Sequence, residues 1–134
     1  MTTAVDTSVL LAVFKREEGH EAWLDLMAER ASAGPLVACE VVWAEVGGFF
    51  TEFERLRESL DLLTVGFDPI SAETAHHAGR LFRTYREQGG PREHLIPDLL
   101  VGAHAQLQAD ALLAIDRGFY RRYFRDLELI RPPA

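Results

Sequence analysis

At 134 residues, 48% hydrophobic and 26% charged, the chain is long enough to bury one core, too short for a second full domain, and free of any compositional sign of disorder. Its net charge of -7, with Lys15 the single Lys among 14 basic residues, excludes a simple nucleic-acid coat protein, which would carry a surplus of Lys and Arg. A lone Cys39, an N-terminus without a basic start and long apolar run, and no apolar segment near the ~20 residues of a membrane span together predict a soluble domain in a reducing cytoplasm.

The opening TTAVDTSVLLAVF reads as a short buried strand ending at Asp6, with Thr7 or Ser8 placed to cap a helix running to about Phe14. A second helix is expected from Gly19 to Ser32, where Trp23, Leu24, Met27 and Ala31 recur at helical spacing and AGP ends it. LVAC follows as a second strand. A helical pair from Glu40 to Leu63 carries Trp43, Phe49, Phe50 and Phe53, and LTVGF forms a third strand closed by Asp68 and Pro69. Ser71 is placed to cap a long helix through Gln88, and a loop from Gly89 to Ile96 comes next. Pro97 suits the first turn of a helix reaching Ala109, and ALLAI is a strand that stops just before Asp116. RGFYRRYF adds a helical turn and LELI a last short strand. Strands alternate with helices throughout, which predicts an α/β fold with a central parallel sheet covered on both faces.

Ligands of open parallel sheets bind beyond the carboxyl ends of the strands, and Asp6 and Asp116 both stand at such ends. Either acid alone could simply cap the helix that follows it. Two on one edge point to a shared role. Glu45 has Val41 and Val42 at i-4 and i-3, Gly48 at i+3 and Phe49 at i+4, so its carboxylate is expected on an apolar stripe, where it must be protonated, paired or bound to a metal. Asp98, with Val101, Gly102 and Ala105 on its face, opens a helix where negative charge is favoured, and a purely structural role is equally open there. Clustered carboxylates need a cation, and oxygen-only ligands select Mg²⁺ or Mn²⁺ over zinc. The five histidines offer no zinc-helix spacing: His76 and His77 are adjacent and splay apart, and His94 and the others read as surface or packing residues.

In order, these positions resemble the motifs of the PIN domain and, within it, the VapC-type toxins of toxin-antitoxin pairs. AVDTSVLLAVF resembles the opening motif, with Asp6 as its acid and Thr7 and Ser8 as hydroxyl neighbours. VVWAEVGG resembles the second, with Glu45 in the acid position, and IPDLLVGAHA the third, with Asp98. LLAIDRGFYRRYFRDLELIRP resembles the closing motif, with Asp116 as the fourth acid and Phe119 and Tyr120 as packing aromatics. The resemblance runs from residue 3 to about residue 131. One departure is Ala114, where relatives often carry Thr or Ser two residues before the acid.

The resemblance implies one nuclease domain over residues 1–134, a three-layer α/β/α sandwich, an RNA substrate, Mg²⁺ or Mn²⁺ as cofactor, and a homodimer neutralised by a cognate VapB-type antitoxin. It implies hydrolysis of a phosphodiester by metal-activated water, leaving a 5′-phosphate and a 3′-hydroxyl. Asp6 and Asp98 would be direct ligands, Asp116 a ligand directly or through water, and Glu45 a ligand of a second ion or an orienting group for the water. One ion or two remain open. Thr7 and Ser8 are candidate substrate contacts; Arg92 and Arg117 could meet phosphate oxygens or be solvated charges. Phe50 and Phe53 exceed what one helical stripe needs and are candidates for a partner surface, with core packing the alternative. Other readings are an RNA-processing PIN nuclease outside a toxin-antitoxin pair and a PIN-fold binding module without catalysis. An aspartyl phosphotransferase would need a second acid where Ser8 stands and a late Lys, which the chain lacks.

Overall fold

The computed structural model describes residues 1–89 and 95–133, Leu95 by its backbone alone. Strands β1 (Thr3–Val5), β2 (Leu36–Ala38), β3 (Val65–Phe67), β4 (Ala111–Leu113) and β5 (Glu128–Ile130) form one sheet in the order β3-β2-β1-β4-β5. All pairings are parallel, with Thr3 opposite both Leu36 and Ala111, and Leu113 opposite Ile130. Parallel neighbours require crossovers, and helices supply them. Helices α1 (Thr7–Phe14) and α2 (His20–Ala33) join β1 to β2, and α3 (Glu40–Gly47) and α4 (Phe53–Leu62) join β2 to β3. Helices α5 (Ala72–Glu87) and α6 (Leu95–Gln108) carry the chain back to β4, and α7 (Phe119–Tyr123) leads to β5.

The chain thus winds outward from β1 to β3, then crosses to the other side of β1 for β4 and β5. Right-handed crossovers in opposite directions put helices on both faces of the sheet. Strand order reverses between β1 and β4, which opens a crevice at their carboxyl ends. Both strands are central and fully buried, which is why they read as unbroken small or apolar runs without alternation. Among the largest buried side chains are Leu10, Leu60, Leu99, Leu112, Leu113 and Phe124, each under 2% exposed. Each contributes about 1.5–3 kcal/mol. Gly102 on α6 lies against the Phe124 ring so closely that a Cβ would collide with it. The missing side chain lets the helix bearing Asp98 seat on the segment that follows α7.

Local chemistry sets the helix starts. Ser71 caps α5 as expected, its hydroxyl accepting from Thr74 N–H at 3.1 Å. Of the residues the sequence offers as cap of α1, it is Asp6 that takes the position, not Thr7 or Ser8. Asp6 is the last extended residue (φ -79°, ψ 153°), and its carboxylate accepts the Ser8 N–H. Helix α6 begins at Leu95, so Ile96 is already helical rather than loop, and Pro97 lies in the first turn as expected. Arg92 and His94 lie outside the described residues.

Candidate active site

The pairing of β1 with β4 continues one step past the strand, because Asp6 N–H donates to the Leu113 carbonyl at 2.9 Å. This fixes the Asp6 backbone at the crevice, and its residue is 8% exposed. Its carboxylate is held from both sides. Oδ2 accepts the Ser8 N–H (3.2 Å) and the Ser8 hydroxyl, and Oδ1 accepts the Tyr120 hydroxyl at 2.8 Å. Ser8 Oγ in turn accepts the Ile115 N–H at 3.0 Å, which ties α1 to the chain just past β4. Thr7 points its hydroxyl to Glu45 Oε1 at 2.8 Å. The two hydroxyl neighbours of Asp6 are therefore engaged with acids.

Glu45 departs from the buried apolar stripe expected for it. The residue is exposed, because the short α3 packs through Val42 and Val46 and turns Glu45 away from that contact, and Phe49, one turn on, is itself 47% exposed. The carboxylate finds a hydroxyl partner without being buried, so the desolvation argument does not apply to it. Asp98 is half-buried in the first turn of α6, with Val101, Gly102 and Ala105 buried along the same face. Asp116 is held by backbone donors at the start of α7: Oδ1 accepts the Tyr120 N–H at 3.0 Å and Oδ2 the Arg121 N–H at 3.2 Å. Asp6 thus caps α1, and Asp116, in the connection between β4 and α7, satisfies N–H groups of α7, whose N-cap is Gly118.

Tyr120 joins these groups. Its hydroxyl donates to Asp6 and its N–H donates to Asp116, while the side chain is packed against Phe119 and Phe124 with the residue only 5% exposed. Burial pushes its phenol far above the ordinary value, and the charge of Asp6, the hydrogen bond to it, and the charges of Asp98 and Glu45 push it further in the same direction. The hydroxyl therefore stays protonated and remains a donor. Asp6, Asp98 and Glu45 all lie close enough to act on one phenol. Sequence reasoning had Tyr120 as a packing aromatic only; its polar tip, which a buried tyrosine must satisfy, was the available signal.

Among the described residues, no three of Asp, Glu, His and Cys stand as one ion-holding group. The donor set still fits a hard cation by its chemistry. Among the described residues no Lys, Arg or His lies within ion-pair distance of Asp6 or Glu45, whose printed partners are hydroxyls and an amide. Neutral donors orient a carboxylate without cancelling its charge. Asp116 has Arg121 beside it, Nε at 3.6 Å, with that arginine side chain 66% exposed. Arg117 is exposed.

The aromatic residues of the α3–α4 region divide. Phe50 is half-buried, edge-on to Phe14 at 5.3 Å, whereas Phe53 is 64% exposed. Phe49 stacks on Phe14 at 6.2 Å. Of the histidines, His104 is fully internal and meets Asp68 (Nε2 to Oδ2, 2.8 Å). Among the described residues no helix is long and apolar enough to cross a membrane.

The fold is similar to solved toxin-antitoxin structures. VapBC2 from Rickettsia felis, bound to a DNA fragment from its promoter, matches with a TM-score of 0.70 at 20% identity, covering 99% of this chain and 100% of that one. VapBC-1 from nontypeable Haemophilus influenzae matches with a TM-score of 0.70 at 24% identity and 97% of each chain. A toxin-antitoxin complex from Klebsiella pneumoniae matches with a TM-score of 0.66 at 19% identity and 98% of each chain. No match is found among curated proteins. The family model of the PIN domain matches residues 3–125, nearly the whole of the sheet and every acid discussed above, and the chain therefore belongs to the PIN domain family.

Proposed function

We propose that this chain is a metal-dependent endoribonuclease of the VapC type, the toxin of a toxin-antitoxin pair. The observation that carries the reading is Asp6: a nearly buried carboxylate at the crevice between β1 and β4, held by neutral donors, with Asp98 and Glu45 acting on the same tyrosine. Such an arrangement concentrates negative charge at a ligand-binding edge and, among the described residues, supplies no counter-charge within ion-pair distance of Asp6.

Asp6 and Asp98 would hold Mg²⁺ or Mn²⁺ directly, Asp116 directly or through water, and Glu45 would hold a second ion or orient the attacking water. The ion supplies Lewis acidity toward the phosphodiester and a water of lowered pKa. Ser8 and Tyr120 keep the Asp6 carboxylate in one orientation, and Thr7 does the same for Glu45. Arg117, with Arg92, would meet phosphate oxygens of the RNA, whose cleavage leaves a 5′-phosphate and a 3′-hydroxyl. A cytoplasmic VapB-type antitoxin is the proposed partner of a homodimer, with Phe50 and the exposed Phe53 as its contacts. The complexes seen for similar folds support that partner.

Purified protein is expected to cleave single-stranded RNA with Mg²⁺ or Mn²⁺, to stop with chelator, and to lose at least about 10²-fold in rate as Asp6→Asn, which keeps size but removes charge. Cleavage that resists either change overturns the reading. Growth arrest on expression, absent in Asp98→Asn, tests the toxin role.

A further inference from the structure

Beside Asp116 a cavity of about 200 Å³ opens between the ends of β4 and β5 and α7. Its floor is apolar: Ala114 is 3% exposed, Leu127 is 9% exposed, and Leu129 is half-buried. Its rim is charged, with the Asp116 carboxylate and the guanidinium groups of Arg121 and Arg131. Asp116 is anchored by two backbone N–H groups, one of them from Tyr120, which binds Asp6. Asp116 therefore links the cavity, which it lines, to the residue that holds Asp6. Among the described residues Arg131 is in no ion pair, and Arg121 reaches Asp116 only at 3.6 Å.

Resting on the nuclease reading, we propose that this cavity is a subsite for one unpaired nucleobase next to the scissile phosphate. An apolar floor offers nothing to a phosphate, and two guanidinium planes at the rim do not suit an aliphatic group. A flat heteroaromatic ring satisfies both, with its faces against Leu and guanidinium and its polar edge toward the charged rim. The volume admits a single base, and a base held in a duplex cannot turn its face into a slot walled by the sheet, so the substrate strand is unpaired here. Ala114 is what leaves the floor open. A larger residue at that position fills the slot without touching the acids.

The test uses a short fluorescein-labelled single-stranded oligoribonucleotide of mixed sequence, and copies with one abasic site walked along it. Binding to the full-length protein is measured by anisotropy in chelator. One abasic position should weaken binding to the wild type by about tenfold. That penalty should disappear in Ala114→Val, whose folding is checked by thermal melting, and shrink in Arg131→Gln, which changes an exposed side chain. No position-specific penalty in the wild type, or the same penalty in both variants, overturns the subsite. So does an Arg131→Gln variant that binds every oligomer more weakly by one common factor, the mark of a phosphate contact alone. Failure of the nuclease reading is separate: it appears as absent Mg²⁺-dependent cleavage of the intact oligomer by the wild type, whatever the abasic series shows.

Discussion

Asp6 and Asp68 occupy matching places and have opposite surroundings. Each directly follows a strand, and each backbone N–H donates to a neighbouring strand's end, Asp6 to Leu113 and Asp68 to Ala38. Each carboxylate is held by at least one side chain far away in the chain. For Asp6 the side-chain partners are hydroxyls, from Ser8 and from Tyr120. For Asp68 they are the buried His104 imidazole at 2.8 Å and the Gln108 amide at 3.2 Å, and Gln108 also binds the Pro69 carbonyl and the Ser71 N–H. Among the described residues one acid, Asp6, has only hydroxyls and an amide for partners at a crevice. The other meets a side chain able to carry positive charge and serves to fasten α6 to the connection after β3. A strand-end position therefore nominates an acid, and its partners decide whether it is available to a cation or spent on structure.

The comparison breaks if the two acids respond alike. Asp6→Asn is expected to lower Mg²⁺-dependent RNA cleavage by at least about 10²-fold with little change in stability, because the Asn oxygen still accepts from Ser8 while its amide N–H donates to the Tyr120 hydroxyl oxygen. Asp68→Asn should leave cleavage within about threefold and lower unfolding free energy by about 1–3 kcal/mol in urea melts, through the lost charge-assisted bond. An Asp68→Asn protein as inactive as Asp6→Asn, while still folded, would show that partners do not discriminate between them.

Tyr120→Phe sharpens the same contrast from the donor side. It removes one oxygen, keeps the ring among Phe119 and Phe124, and frees one edge of the Asp6 carboxylate. The expected loss is about 10- to 100-fold in Mg²⁺ affinity by calorimetry, the range typical for groups that orient a ligand. Unchanged affinity would reduce Tyr120 to packing.

The smallest effect is in alkali. Tyr120 ionises near the ordinary phenol value of 10.0 when unfolded, whereas in the folded protein burial and the Asp6 charge hold it protonated well beyond that. A folded pKa above the unfolded one gives stability that is fully present below pH 10 and is lost as pH rises further. Melting temperature should therefore fall more steeply above that pH in the wild type than in Tyr120→Phe, as scanning calorimetry would register.

Much of this could be read from the chain, and the omissions share a cause. Alternating strands and helices, the Ser71 cap and the placement of Asp6 at a strand end follow from local patterns, and the structure has them; β4 stops at Leu113, short of the strand expected through Ile115, which leaves Asp116 in the connection to α7. Glu45 was misjudged because helical periodicity names a residue's neighbours on its own helix without saying whether anything packs over that face. Tyr120 and the Asp68 pair were missed because their partners lie 114 and 36 residues away, and no local period encodes a contact at that separation. Assigning the α1 cap to a hydroxyl neighbour followed from composition alone; the extended backbone at Asp6 gave the position to the carboxylate.

The separation between Asp6 and Tyr120 also has a temporal meaning. Strand β1 is made before every other element of this fold, yet one of its two neighbours, β4, spans residues 111–113, and the donor to Asp6 comes 114 residues after it. At ~5–20 residues per second a ribosome needs several seconds to cover that span. Until then Asp6 lacks both its backbone anchor and its phenol, and a chain released early cannot assemble the acid edge. Synthesis order alone thus leaves the acid edge of the emerging polypeptide unassembled until β4 and Tyr120 have been made.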